Sequence, residues 1–116
     1  MTFGETIRAW RQEKDLNLRE VAEAVPIDDT YLSKIETGAF PPPSSSVIYG
    51  LCQVLGKPQT EHSDLLFRLC GRVPEDVLPI LTGSRYAYDL IRACEGLSEE
   101  EMQRLIRHAG VLAGEE

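Results

Sequence analysis

No apolar run in this chain approaches the ~20 residues a membrane-spanning helix needs. Alternating β-branched residues, the mark of a strand, occur nowhere, which removes sheet-based folds. There is no GxSxG, Walker-type loop, HExxH or CxxC pattern, so the familiar hydrolase, nucleotide and metalloprotease chemistries lack their residues. We therefore expect a binding module and no enzyme. Cysteine is scarce. Cys52, Cys70 and Cys94 are odd in number and far apart, which speaks against a disulfide framework and predicts buried free thiols on apolar helix stripes. His62 and His108 stand alone, so we expect no metal and no cofactor. Met1 is followed by Thr2, Phe3, Gly4 and Glu5, with no basic segment or apolar block, and we expect a cytoplasmic protein.

Positive charge is also in short supply. Twelve Lys and Arg face nineteen Asp and Glu, a net of −7 over 116 residues. That excludes a broad basic surface for polyanions. The deficit is uneven. Residues 1–57 hold six basic against eight acidic side chains, and residues 58–116 hold six against eleven. Any polyanion contact in the front half must rest on a few placed cations, hydroxyls and helix N-termini.

What the chain does have is helix grammar throughout, and we expect an all-α fold. Thr2 with Glu5 forms a capping box for a first helix that buries Phe3, Ile7 and Trp10. Asn17 with Glu20 forms another. After it, Leu18, Val21, Ala22 and Val25 make one apolar stripe, and Pro26 stops the helix. Asp28 is a good N-cap for a third helix, Leu32 and Ile35 turn inward, and Gly38 provides the left-handed stop. A stiff proline loop follows. Ser44, Ser45 and Ser46 offer caps for a fourth helix burying Val47, Ile48, Leu51 and Leu55, which ends at Gly56-Lys57-Pro58. That end predicts a boundary: a domain over 1–57 and a helical extension over 58–116.

In the extension we expect a helix from about Glu61 to Cys70, one opening at Pro74 with Val77, Leu78 and Leu81, and one opening at Ser84 that buries Ala87, Leu90, Ile91 and Cys94. A capping box, Ser98 with Glu101, opens a last helix that buries Met102, Leu105, Ile106 and Ala109 and frays from Gly110.

Residues 16–38, LNLREVAEAVPIDDTYLSKIETG, carry the sharpest signal: two short helices joined by a tight turn. Together with IRAWRQEKDL before them and PPPSSSVIYGLCQVLG after, they resemble the phage-repressor/Cro (XRE) type of helix-turn-helix, over about Phe3 to Gly56. The resemblance implies a lambda-repressor-like DNA-binding domain with a C-terminal helical dimerisation extension. It implies that the third helix lies in the major groove, with Asp29, Thr30, Ser33, Lys34 and Thr37 as base-reading candidates. Phosphate contacts would come from Asn17, Arg19, Ser44, Ser45 and Ser46. In the family an arginine late in helix 1 pairs with an acid at the end of the reader helix, which points to an Arg11–Glu36 structural ion pair. One departure stands out. Many members carry Gln at the start of the second helix, and this chain has Leu18.

The segment LFRLCGRVPEDVLPIL is similar to the C-terminal helices of small XRE regulators paired with metallopeptidases, which implies a regulatory protein partner of that kind. Leu65, Leu69, Leu78, Leu81, Leu90, Ile91, Leu105 and Ile106 exceed what four short helices can bury alone, and they form the candidate dimer interface. We therefore expect a transcriptional regulator, a dimeric repressor on double-stranded DNA with an inverted-repeat operator. The alternative is a protein–protein module, antitoxin-like or an anti-repressor adaptor, which the acidic charge and Asp29 favour. Operator, regulated genes and inducing signal are not written in the residues.

Overall fold

The computed structural model describes residues 1–114, and all regular structure in them is helical. Eight helices follow in order: α1 (Phe3–Glu13), α2 (Leu18–Ala24), α3 (Asp29–Thr37), α4 (Ser45–Val54), α5 (Thr60–Leu69), α6 (Leu78–Thr82), α7 (Arg85–Ala93) and α8 (Glu99–Leu112). They form two compact units, Met1–Glu75 and Asp76–Glu116. None is long and apolar enough to cross a membrane.

Local chemistry sets the starts of the first three helices. Thr2 Oγ1 accepts from the Glu5 N–H at 3.1 Å, and Glu5 Oε1 accepts from the Thr2 N–H at 2.9 Å. Asn17 and Glu20 repeat the exchange at α2, at 2.8 and 2.9 Å. Asp28 Oδ1 accepts from the Thr30 N–H at 2.8 Å and starts α3. Each bond occupies an N–H that has no partner inside the helix. Gly38 ends α3 with φ +82°, a region that favours glycine.

The core of the first unit joins all five of its helices. Ile7, Val21, Leu32, Ile35, Ile48, Leu51, Leu55, Leu66 and Phe67 are fully buried. α3 packs on both α1 and α2, and α4 packs on α5. Gly4 makes one of these contacts possible. A Cβ there would overlap the Glu36 carbonyl oxygen and lie 2.5 Å from that of Ile35, so α1 reaches the end of α3 only without a side chain.

The expected boundary after residue 57 does not coincide with the edge of this unit, which runs to Glu75. The reason is α5. Leu66 and Phe67 belong to the core, and Leu65 and Leu69 pack against it half-buried. Burying one such side chain contributes ~1.5–3 kcal/mol, so α5 is a structural wall of the unit. Trp10 meets His62 edge-on at 5.8 Å across the same seam.

The second unit departs from expectation. No described side chain within it is buried. Leu90 is 55%, Ile91 59% and Ile106 68% exposed, although each lies on the apolar stripe the sequence marks. α6 starts at Leu78, not Pro74, with Pro79 in its first turn. Residues 75–77 form a turn instead. α8 runs past Gly110 to Leu112. Of the thiols, all free, Cys52 is buried while Cys70 and Cys94 are only half-buried. Burial pushes the Cys52 thiol up to about 11, which keeps it protonated and unreactive.

Candidate nucleic-acid interface

The faces of α3 are cleanly divided. Leu32, Ile35 and Glu36 are buried, and Thr30, Lys34 and Thr37 are exposed on the opposite side. Asp29 and Ser33 flank that outward stripe and are half-buried. The five base-reading candidates thus separate into three that project fully and two at the edge.

Beneath this face, Arg11 holds the helices in register. Its Nε and Nη2 donate to Glu36 Oε2 and Oε1, each at 2.8 Å, and its Nη1 donates to the Leu16 carbonyl at 3.0 Å. One guanidinium therefore ties the end of α1, the turn into α2 and the end of α3. The fork geometry matches a carboxylate on both oxygens. The bond to Glu36 raises the Arg11 pKa further, against the opposing effect of burial.

The phosphate candidates are differently engaged. Asn17 spends its Oδ1 on the α2 cap. Arg19 is exposed in the first turn of α2 and shares a shallow depression of about 290 Å³ with Glu23, Asp28 and Asp29. The serines do not cap α4 as expected. Ser44 occupies the N-cap position without a side-chain bond to the helix, and its Oγ lies 3.2 Å from Ser46 Oγ.

Arg72 explains what becomes of Ser45. Its Nη2 donates to Ser45 Oγ at 3.0 Å and its Nη1 to the Pro43 carbonyl at 2.6 Å, while its guanidinium lies 5.5 Å from the Phe67 ring centre. A cation held at a helix N-terminus runs against the dipole, and two hydrogen bonds and a ring face offset that cost. Sequence reasoning missed Arg72 because nothing local connects it to residues 43–45.

It also missed Phe40. This ring is 41% exposed. The Lys34 ammonium sits 4.8 Å from its centre, and Tyr31 packs on it at 6.0 Å. The available signal was an aromatic placed between the Gly38 stop and the proline run, outside any helical stripe.

Two short helices, α2 and α3, packed together behind a tight turn, with the outward face of the second polar and its inward face locked by an ion pair, are the helix-turn-helix arrangement. The model of the helix-turn-helix domain family matches residues 2–65. The chain belongs to this family. No curated protein and no solved structure matches it. As a helix-turn-helix protein it is a DNA-binding regulator. The match stops short of Arg72 and of the whole second unit, so both lie outside the family domain. Among the described residues, no group of three or more His, Cys, Asp or Glu side chains could hold a metal ion.

Proposed function

We propose that the protein is a sequence-specific transcriptional repressor of the XRE type that binds an inverted-repeat operator as a homodimer. The observation that carries the reading is the division of α3, with Thr30, Lys34 and Thr37 outward and Leu32, Ile35 and Glu36 buried. Short hydroxyls and one long cation on a rigid helix suit base edges in the major groove. Arg19 and Ser44–Ser46 would meet the backbone, and Asp29 would accept from a cytosine amino group or stand aside. The dimer part is supported by the second unit, where Leu78, Leu90, Ile91 and Ile106 are exposed. A single head reads too few base pairs for specificity, and a two-fold pair doubles the site at a fixed half-site spacing. Leu65 and Leu69 drop out of the interface on this account, since they serve the head. The reading is that of a cytoplasmic binding protein, not an enzyme, with a metallopeptidase as the class of controlling partner.

A specific observation favours a second reading. Glu23, Asp28 and Asp29 surround Arg19 at the front of the head, and carboxylates repel phosphate while suiting a basic protein surface. Selection of duplexes from a randomised pool by the full chain decides between them. Repressor function requires enrichment of a palindromic duplex whose affinity falls with salt. Lys34→Ala should then weaken binding by roughly 1–3 kcal/mol and relax one position if the lysine reads a base. A pool that stays random removes the DNA reading.

A further inference from the structure

Lys34 is a long, flexible side chain, and a flexible cation reads poorly because ordering it costs binding energy. In this fold it is not left to wander. Its ammonium lies 4.8 Å from the centre of the Phe40 ring. The ring is itself held from three sides. The Phe40 N–H donates to the Lys34 carbonyl at 3.1 Å, closing the chain around left-handed Gly38. Tyr31, one turn before Lys34, packs against the ring at 6.0 Å and 47°. Pro41, Pro42 and Pro43 follow directly and restrict the backbone behind it. Phe40 is not part of the buried core, and 41% of it is exposed on the turn after α3.

We infer that Phe40 is a positioning residue for DNA reading: its ring seats the Lys34 ammonium on the Tyr31 flank of α3 and so sets which base or phosphate that cation meets. The inference rests on the DNA-binding reading. It makes the turn after the recognition helix part of the specificity apparatus, acting through Lys34.

Two measurements on the full chain test it. In the free protein, the Lys34 ε-methylene protons should be shifted upfield by the ring current, unchanged in Phe40→Tyr and relaxed to ordinary values in Phe40→Leu. On a duplex enriched from the random pool, Phe40→Leu should lower affinity about two- to fivefold, within the range of the ordering cost of one long side chain. Phe40→Tyr should restore it, and Phe40→Met, a second non-aromatic replacement, should behave like Phe40→Leu. In a Lys34→Ala background, Phe40→Leu should cost nothing more, an outcome a merely structural role does not produce. Absence of the upfield shift overturns the inference. So does an equal loss in both backgrounds, or an enriched duplex bound undiminished by Phe40→Leu, and in these cases the DNA reading stands. Failure to enrich any duplex overturns the DNA reading and the inference with it.

Discussion

Arg72 donates a 2.6 Å hydrogen bond to the carbonyl of Pro43, twenty-nine positions earlier in the chain. Pro43 is buried, so this bond satisfies a carbonyl with little access to water, and the same guanidinium holds Ser45. Removing a donor from a buried acceptor costs ~1–3 kcal/mol. Arg72→Ala should destabilise the head by about that amount, measured by denaturant unfolding followed through Trp10 fluorescence. Arg72→Lys should recover only part, since an ammonium cannot fork or stack in the same way. An unchanged midpoint in the alanine variant would show the clamp to be idle.

Gly4 offers a sharper test. Any Cβ would overlap the last turn of α3. Gly4→Ala improves helix propensity and would stabilise an isolated helix by about 1 kcal/mol. In the folded head the clash should outweigh that gain and leave a net loss, because overpacking costs about 1–3 kcal/mol and backbone atoms cannot swing away. A raised thermal midpoint would contradict the close approach.

Arg11 and Glu36 should be coupled. Glu36 is buried and Arg11 partly so, and removing one partner strands the remaining charge at a cost of about 1–3 kcal/mol. Glu36→Ala should therefore reduce stability more than it reduces DNA affinity. The double replacement with Arg11→Ala should be milder than the sum of the two singles. Strict additivity in a chemical-denaturation cycle would show that the two side chains act independently.

The edge of the head is checked by truncation. A chain ended after Glu75 keeps Leu66, Phe67 and Arg72 and should unfold cooperatively as a monomer. A chain ended after Pro58 loses two fully buried side chains, each worth several kcal/mol in a core, and should fail to give a cooperative transition. Equal midpoints for the two would place α5 outside the cooperative unit.

The capping boxes predict a pH response. The Glu101 carboxyl is held below its ordinary value of 4.5 mainly by its hydrogen bond with the Ser98 backbone, as Glu5 is by Thr2. A carboxyl with a depressed folded-state pKa stabilises fully above its unfolded value, and that contribution is lost as pH falls through the folded one. Both helix starts should loosen in acid. A carbon-detected titration should show Glu101 ionising below pH 4.5, and Ser98→Ala, which keeps the backbone N–H and removes only the hydroxyl, should return it part of the way. A wild-type midpoint at or above 4.5 would contradict the box.

Much of the head was legible in its residues because its punctuation is local. Thr2, Asn17, Asp28 and Gly38 each bond within a turn of themselves, so spacing alone reveals them. Proline was more ambiguous. Pro74 and Pro79 can each sit in a first helical turn, and only Pro79 does. The serines before α4 looked like caps, but Ser45 was taken by Arg72, a competitor far away in sequence. Gly4 read as nothing more than part of a helix start, since the partner that excludes a side chain is α3. The apolar stripes of α7 and α8 were plain, yet a stripe states which face avoids water and not what covers it. Leu90, Ile91 and Ile106, on those stripes and in the candidate dimer interface, stand at the surface.

The second unit has helices with no fully buried side chain, and this changes what kind of quantity its stability is. The head carries its own core, so its folded fraction does not depend on how much of the protein is present. A unit that fully buries no described side chain gains order from a surface that covers it, and mass action then contributes to its folded fraction. If that surface is another copy, the back half of the molecule would be ordered when the protein is plentiful and open to proteases when it is scarce. The abundance of the chain would thus be registered in its own shape.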